Sequence, residues 1–156
     1  MAACAAPKKS EVAGCISRLL IQQPDLILIE LTGVANPDEV SDCLTEPFFL
    51  LGKVALKQII TVLDSEHVPE YNSIFSTDKE LVHTLRKQME LADLLILNKI
   101  DRLKLPYLAK IEKAVRKYNP YSPIVYSIEC DIDVQSILPI SVPGSAEYRQ
   151  SETLSR

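Results

Sequence analysis

The residues Asn98-Lys99-Ile100-Asp101 follow directly on the apolar run "ADLLIL". An aspartate carboxylate in such a loop can accept two parallel hydrogen bonds, a pair that guanine offers from N1 and N2 and adenine does not. The asparagine can brace the loop or reach N7, and the lysine stem can lie along a base plane. The tetrapeptide occurs often by chance; at the end of an apolar, strand-like run it becomes a guanine-recognition signal. A second group, Glu30-Leu31-Thr32-Gly33, closes the run "DLILIEL". There a carboxylate can hold Mg2+ or its water, and the Gly33 N–H can approach a γ-phosphate. A third, Asp64-Ser65-Glu66-His67, closes "IITVLD"; it suits loop hydrogen bonding better than zinc, which asks for more converging ligands.

These groups need strands to deliver them. Four short, nearly continuous apolar runs, 26–31, 59–64, 94–99 and 123–128, have the pattern of parallel strands covered on both faces. Helical periodicity falls between them. Residues 11–22 put Val12, Cys15, Ile16, Leu19 and Leu20 on one face; 79–92 align Leu81, Val82, Leu85, Met89 and Ala92; 106–118 align Leu108, Ile111, Val115 and Tyr118. Asn36-Pro37-Asp38-Glu39 is a helix start, with a capping asparagine, proline in the first turn and acids at the positive end of the dipole. Pro47 should cut that helix short. The fold class is therefore α/β, a three-layer, mainly parallel sheet with helices on both faces. In such sheets ligands gather outside the carboxyl ends of the strands, where all three polar groups lie.

Composition narrows the setting. The 156 residues are 47% hydrophobic and 24% charged, and the net charge of −4 argues against a general electrostatic grip on nucleic acid. No apolar run approaches the roughly 18 residues of a membrane span, and the first residues lack a signal-peptide core. A cytoplasmic protein without membrane partners is expected. Residues 1–10 and 139–156 read as flexible ends around a domain at 11–138. The four cysteines, Cys4, Cys15, Cys43 and Cys130, form no CxxC pair and are expected to act as small buried hydrophobes. His83 falls on a predicted surface face and is expected to be structural or merely exposed.

The blocks "IELTGVANPDEV", "ITVLDSEH", "QMELADLLILNKID" and "NPYSPIVYSI" together resemble the CobW-type GTPases, over roughly residues 24 to 135. That family includes cobalamin-biosynthesis and zinc-linked metallochaperones and is related to the nickel-insertion GTPases of urease and hydrogenase. The shared positions are Glu30, Gly33, Ala35, Pro37, Gln88, Ala92, Asp93 and Asn98 to Asp101. The resemblance implies a P-loop NTPase fold with GTP, Mg2+ and zinc or cobalt as ligands, and a client metalloprotein as partner. Glu30 and Gly33 would belong to the magnesium- and phosphate-sensing region, and Asn98, Lys99, Asp101 and Ser127 to the guanine pocket. Asp64 would shape that pocket without touching nucleotide. Cys15 would be a remnant of a cysteine-rich metal motif.

Two departures stand beside these matches. No Gly-x-x-x-x-Gly-Lys-Ser/Thr occurs in the sequence, and only Gly14-Cys15 survives of Gly-Cys-x-Cys-Cys. Without the first, no amide cradle, lysine or magnesium-binding hydroxyl is supplied for the phosphates. The departures imply a truncated or internally deleted form, missing the phosphate-loop strand and poor at hydrolysis. Its partners would then include further copies of itself or the missing N-terminal part. Two function classes follow: the nucleotide-binding domain of a GTPase that gates metal delivery, and a non-catalytic fragment that acts by protein interaction. A flavodoxin-like or response-regulator domain has the right size but explains neither the Asn-Lys-x-Asp loop nor Glu-x-x-Gly.

Overall fold

A computed structural model describes residues 9–33, 35–38, 42, 52–71 and 79–138. In chain order the elements are α1 (Lys9–Leu20), β1 (Ile60–Asp64), α2 (Val68–Tyr71), α3 (Lys79–Leu91), β2 (Leu94–Asn98), a 3-10 turn (Ile100–Arg102), α4 (Leu105–Arg116), β3 (Ile124–Tyr126) and α5 (Val134–Ile137). The three strands form one parallel sheet in the order β1-β2-β3. Strands alternating with helices in a parallel sheet are the expected α/β architecture. No described helix is long and apolar enough to cross a membrane.

The central strand shows why the apolar runs are continuous. All five residues of β2 are buried, and because side chains alternate across a strand, both faces must be covered. Leu95 and Leu97 join Leu63, Val68, Met89, Ala92, Ile111 and Val115 in the main core. The predicted stripes of the helices before and after β2 supply that packing: Met89 of α3 and Val115 of α4 are fully buried. Each such side chain contributes about 1.5–3 kcal/mol on burial. A smaller cluster, Val12, Ala13 and Ile16 of α1 with Leu20, Ile27 and Val54, lies apart from it.

The end of α3 is unusually well tied. The last carbonyls of a helix lack partners within it, and here side chains provide them. The Thr61 hydroxyl of β1 donates to the Gln88 carbonyl at 2.8 Å. The buried Asn119 carboxamide donates to the carbonyls of Met89 (2.9 Å) and Ala92 (2.8 Å), and the Ser122 hydroxyl to that of Ala92 (2.6 Å). Asp93 then accepts the Ile59 N–H at 2.8 Å and fixes the entry to β1.

One strand expectation is not met. Residues 26–31 form no ladder; Leu28 is 73% exposed and Leu26 and Ile29 are 41% exposed. An apolar run becomes a strand only where another strand presents its N–H and C=O row. Here Ile27 packs against α1 instead, and no described strand pairs with β1 opposite β2. The cysteine expectation fails too at both described positions: Cys15 and Cys130 are exposed, Cys15 because it faces away from the Val12–Ile16 stripe. The helix start at Asn36 is present locally, with the Asn36 side-chain carbonyl accepting the Asp38 N–H at 3.1 Å. Glu39, Pro47, Cys4, Cys43 and the tail from 139 lie outside the described residues.

Candidate functional site

The parallel register places Asp64 of β1 beside Asn98 of β2, so the carboxyl ends of two strands finish level. β3 joins through the Ser127 N–H, which donates to the Leu97 carbonyl at 2.9 Å. Beyond the strand the chain reverses sharply. Lys99 adopts a left-handed backbone (φ 61°, ψ 35°) and leads into the 3-10 turn that carries Asp101. Glu129 and Cys130, in the facing loop, also have positive φ, 53° and 58°. Such conformations cost L-residues roughly 1–2 kcal/mol each and persist only where surrounding bonds hold them.

Asn98 supplies those bonds. Its carboxamide is buried, and its Oδ1 accepts from the Ser127 hydroxyl at 3.0 Å and from the Cys130 N–H at 2.9 Å. Its Nδ2 donates to the Cys130 sulfur at 2.9 Å. The Ile100 N–H donates to the Ser127 carbonyl at 3.3 Å. The side chain thus staples the loop after β2 to the loop after β3. Beside the staple lies an open depression of about 390 Å3 lined by Ile100, Tyr126, Ser127, Ile128, Glu129 and Asp131.

Lys99 turns toward β1, where its ammonium meets Asp64 Oδ2 at 2.5 Å. Asp64 also accepts the Glu66 N–H at 3.0 Å, and His67 Nδ1 stands 3.4 Å away. Partial burial pushes the Asp64 carboxyl up, but the Lys99 ammonium, the Glu66 N–H and His67 together hold it below the ordinary value of 3.8. Arg102 pairs with Glu66 at 3.1 Å. Asp64 therefore anchors the loop after β2, through Lys99. Asp101 is exposed, projecting from the turn that this network fixes.

The remaining positions sort less tightly. Gly33 lies in a turn closed by the Ala35 N–H on the Thr32 carbonyl at 2.9 Å. The Gln88 amide of α3 reaches it, donating to the carbonyls of Gly33 (3.1 Å) and Ala35 (2.8 Å). Glu30 is exposed, and no hydrogen bond or ion pair among the described residues joins it to the Asn98 group. Cys15 is met by the Arg18 guanidinium at 3.2 Å, and no set of three potential metal ligands converges among the described residues. The parts not read from sequence are Cys130, Asn119 and the hold of Gln88 on the turn. Asn119-Pro120 carried a turn signal; nothing around Cys130 did.

The family model for the "CobW/HypB/UreG, nucleotide-binding domain" matches residues 2–126. The zinc-regulated GTPase metalloprotein activator 1 of Saccharomyces cerevisiae is 28% identical over 128 residues, covering 74% of this chain and 30% of that protein. Its Schizosaccharomyces pombe counterpart is 28% identical over 122 residues, covering 78% of this chain and 28% of that protein. The chain thus spans less than a third of the length of these relatives. No solved structure matches it. With the family model covering most of its length, the chain belongs to the CobW/HypB/UreG family of nucleotide-binding domains.

Proposed function

We propose that the chain recognises guanine nucleotide with the loop after β2, as the base-binding part of a GTPase that governs delivery of a metal ion, zinc or cobalt, to a client metalloprotein. The observation that carries this reading is the Asn98 staple. A buried carboxamide holds two strained loops together and presents Asp101 at their rim. Strain maintained by a dedicated network is typical of a ligand-binding loop. Asp101 would accept the two guanine N–H groups, while the Lys99 stem and Ser127 would flank the base. The zinc-regulated relatives support the metal-delivery part.

The phosphate side rests on Glu30 and Gly33. Nothing in the turn itself requires glycine at 33, since an added Cβ would meet no atom within 4 Å and its φ is ordinary. Close approach of a ligand would explain the residue. For Mg2+, which binds through one or two carboxylates with phosphate oxygens and water, the described residues offer Glu30; it would supply charge neutralisation between phosphates. For a resident zinc they offer no adequate set, as Cys15 has no converging partner ligand, so the metal is read as cargo.

The test is titration with a fluorescent guanine nucleotide. Asp101→Asn should weaken binding by about tenfold or more, the loss expected when a buried hydrogen-bonding pair goes unmet, and an adenine analogue should not compete. Equal competition by guanine and adenine would refute the reading. If no nucleotide binds at all, the non-catalytic reading, with protein interaction as the sole role, takes its place.

A further inference from the structure

We infer that Gln88 is a positioning residue that sets the phosphate-facing turn Thr32–Ala35 relative to the base-recognition end of the sheet. The two hydrogens of its carboxamide nitrogen reach two carbonyls in the turn, Gly33 at 3.1 Å and Ala35 at 2.8 Å, more than fifty residues away in sequence. One side chain thus grips both sides of the glycine turn.

The grip matters because of what lies at its other end. Gln88 sits in the last turn of α3, and its own carbonyl accepts the buried Thr61 hydroxyl of β1. Asn119 anchors the carbonyls of Met89 and of Ala92 just past that helix, so the base of the side chain belongs to a firmly held part of the domain. Among the described residues, the 26–31 segment leading to the turn makes no ladder. β1 continues to Asp64, which holds Lys99 of the base-recognition loop. A continuous covalent and hydrogen-bonded path therefore runs from the turn through Gln88 and Thr61 to Lys99. Displacing the turn must break the Gln88 bonds, stretch the Thr61 bond or move β1. Because neither carbonyl can be gripped by an apolar side chain, the role demands a donor rather than bulk.

Assigning the turn to phosphate rests on the proposed nucleotide-binding function; the clamp does not, and the two can fail separately. The experiment is amide hydrogen exchange on the full chain, comparing wild type with Gln88→Met, which keeps the length and shape but has no donor. Loss of two hydrogen bonds should speed exchange of the Ala35 and Asp38 amides by about 5- to 100-fold. The Leu95 and Leu97 amides of β2 should be unchanged. Unaltered protection at Ala35 and Asp38 in Gln88→Met would overturn the proposal and leave Gln88 as packing only. Should Gln88→Met lose protection everywhere, the wild-type side chain decides. Its Gln88 amide protons should exchange more slowly than those of the exposed Gln22, and equal rates would overturn the clamp. Absence of guanine binding in the titration above would remove the phosphate assignment without touching either exchange result.

Discussion

Asn98 turns both ends of its carboxamide toward protein, and this makes it a folding residue inside a recognition motif. Asn98→Ala would leave the Ser127 hydroxyl and the Cys130 N–H without their acceptor. The expected cost is about 1–3 kcal/mol, seen as a lower urea midpoint before any ligand is added. Asp64 gives a second test. Its carboxyl is held below its ordinary value, so it contributes stability above the unfolded-state pKa. That contribution is lost as pH falls through the lower folded-state value. Asp64→Asn should therefore lower stability at neutral pH and flatten the part of the acid-denaturation curve below about pH 4; a curve parallel to wild type would show that the Lys99 pair contributes nothing. At this scale the sequence singled out residues that the structure brings together at the strand ends, but not the bonds between them. Asn98, Lys99 and Ser127 were named in advance, and the resemblance gave Asp64 a shaping role. Their bonds depend on left-handed loop conformations and on Cys130, which short-range patterning does not encode.

At the scale of elements, β1, β2, β3 and the helices α3 and α4 were legible because their apolar periodicity meets partners within this chain. The run 26–31 has the same composition and no ladder. A continuous apolar stretch reports hydrophobicity but says nothing of whether another strand's backbone is available to it. The difference can be measured. With its side chain 73% exposed, Leu28→Lys should change stability by less than about 0.5 kcal/mol. Ile27→Ala, which removes packing against α1, should cost about 1–3 kcal/mol. Equal and large losses at both positions, in thermal or urea unfolding, would mean that the run is paired and covered after all.

At the scale of the whole molecule, the elements that hold the loop after β2 are well packed, whereas Glu30 and Gly33 sit on an unladdered segment held by Ile27 and Gln88. The sequence carries no phosphate-loop motif. The 156-residue polypeptide tested by itself should consequently respond to the base far more than to the phosphates. Guanosine, GMP, GDP and GTP should compete for the site within about tenfold of one another, because the sequence carries no phosphate-loop motif to reward added charge. A steep gain in affinity from guanosine to GTP would show that the segment around Glu30 and Gly33 grips phosphate unaided.

The left-handed residues Lys99, Glu129 and Cys130 also govern how the protein tolerates change. Surface positions ordinarily accept almost any side chain. At these three, solvent offers no relief, because a β-branched residue clashes with its own backbone wherever its side chain points. The rim of the recognition loop should therefore read in a saturation library like a buried core, admitting glycine and asparagine and rejecting valine and isoleucine. Selective intolerance of β-branched residues there would mark backbone geometry, not contact with a ligand.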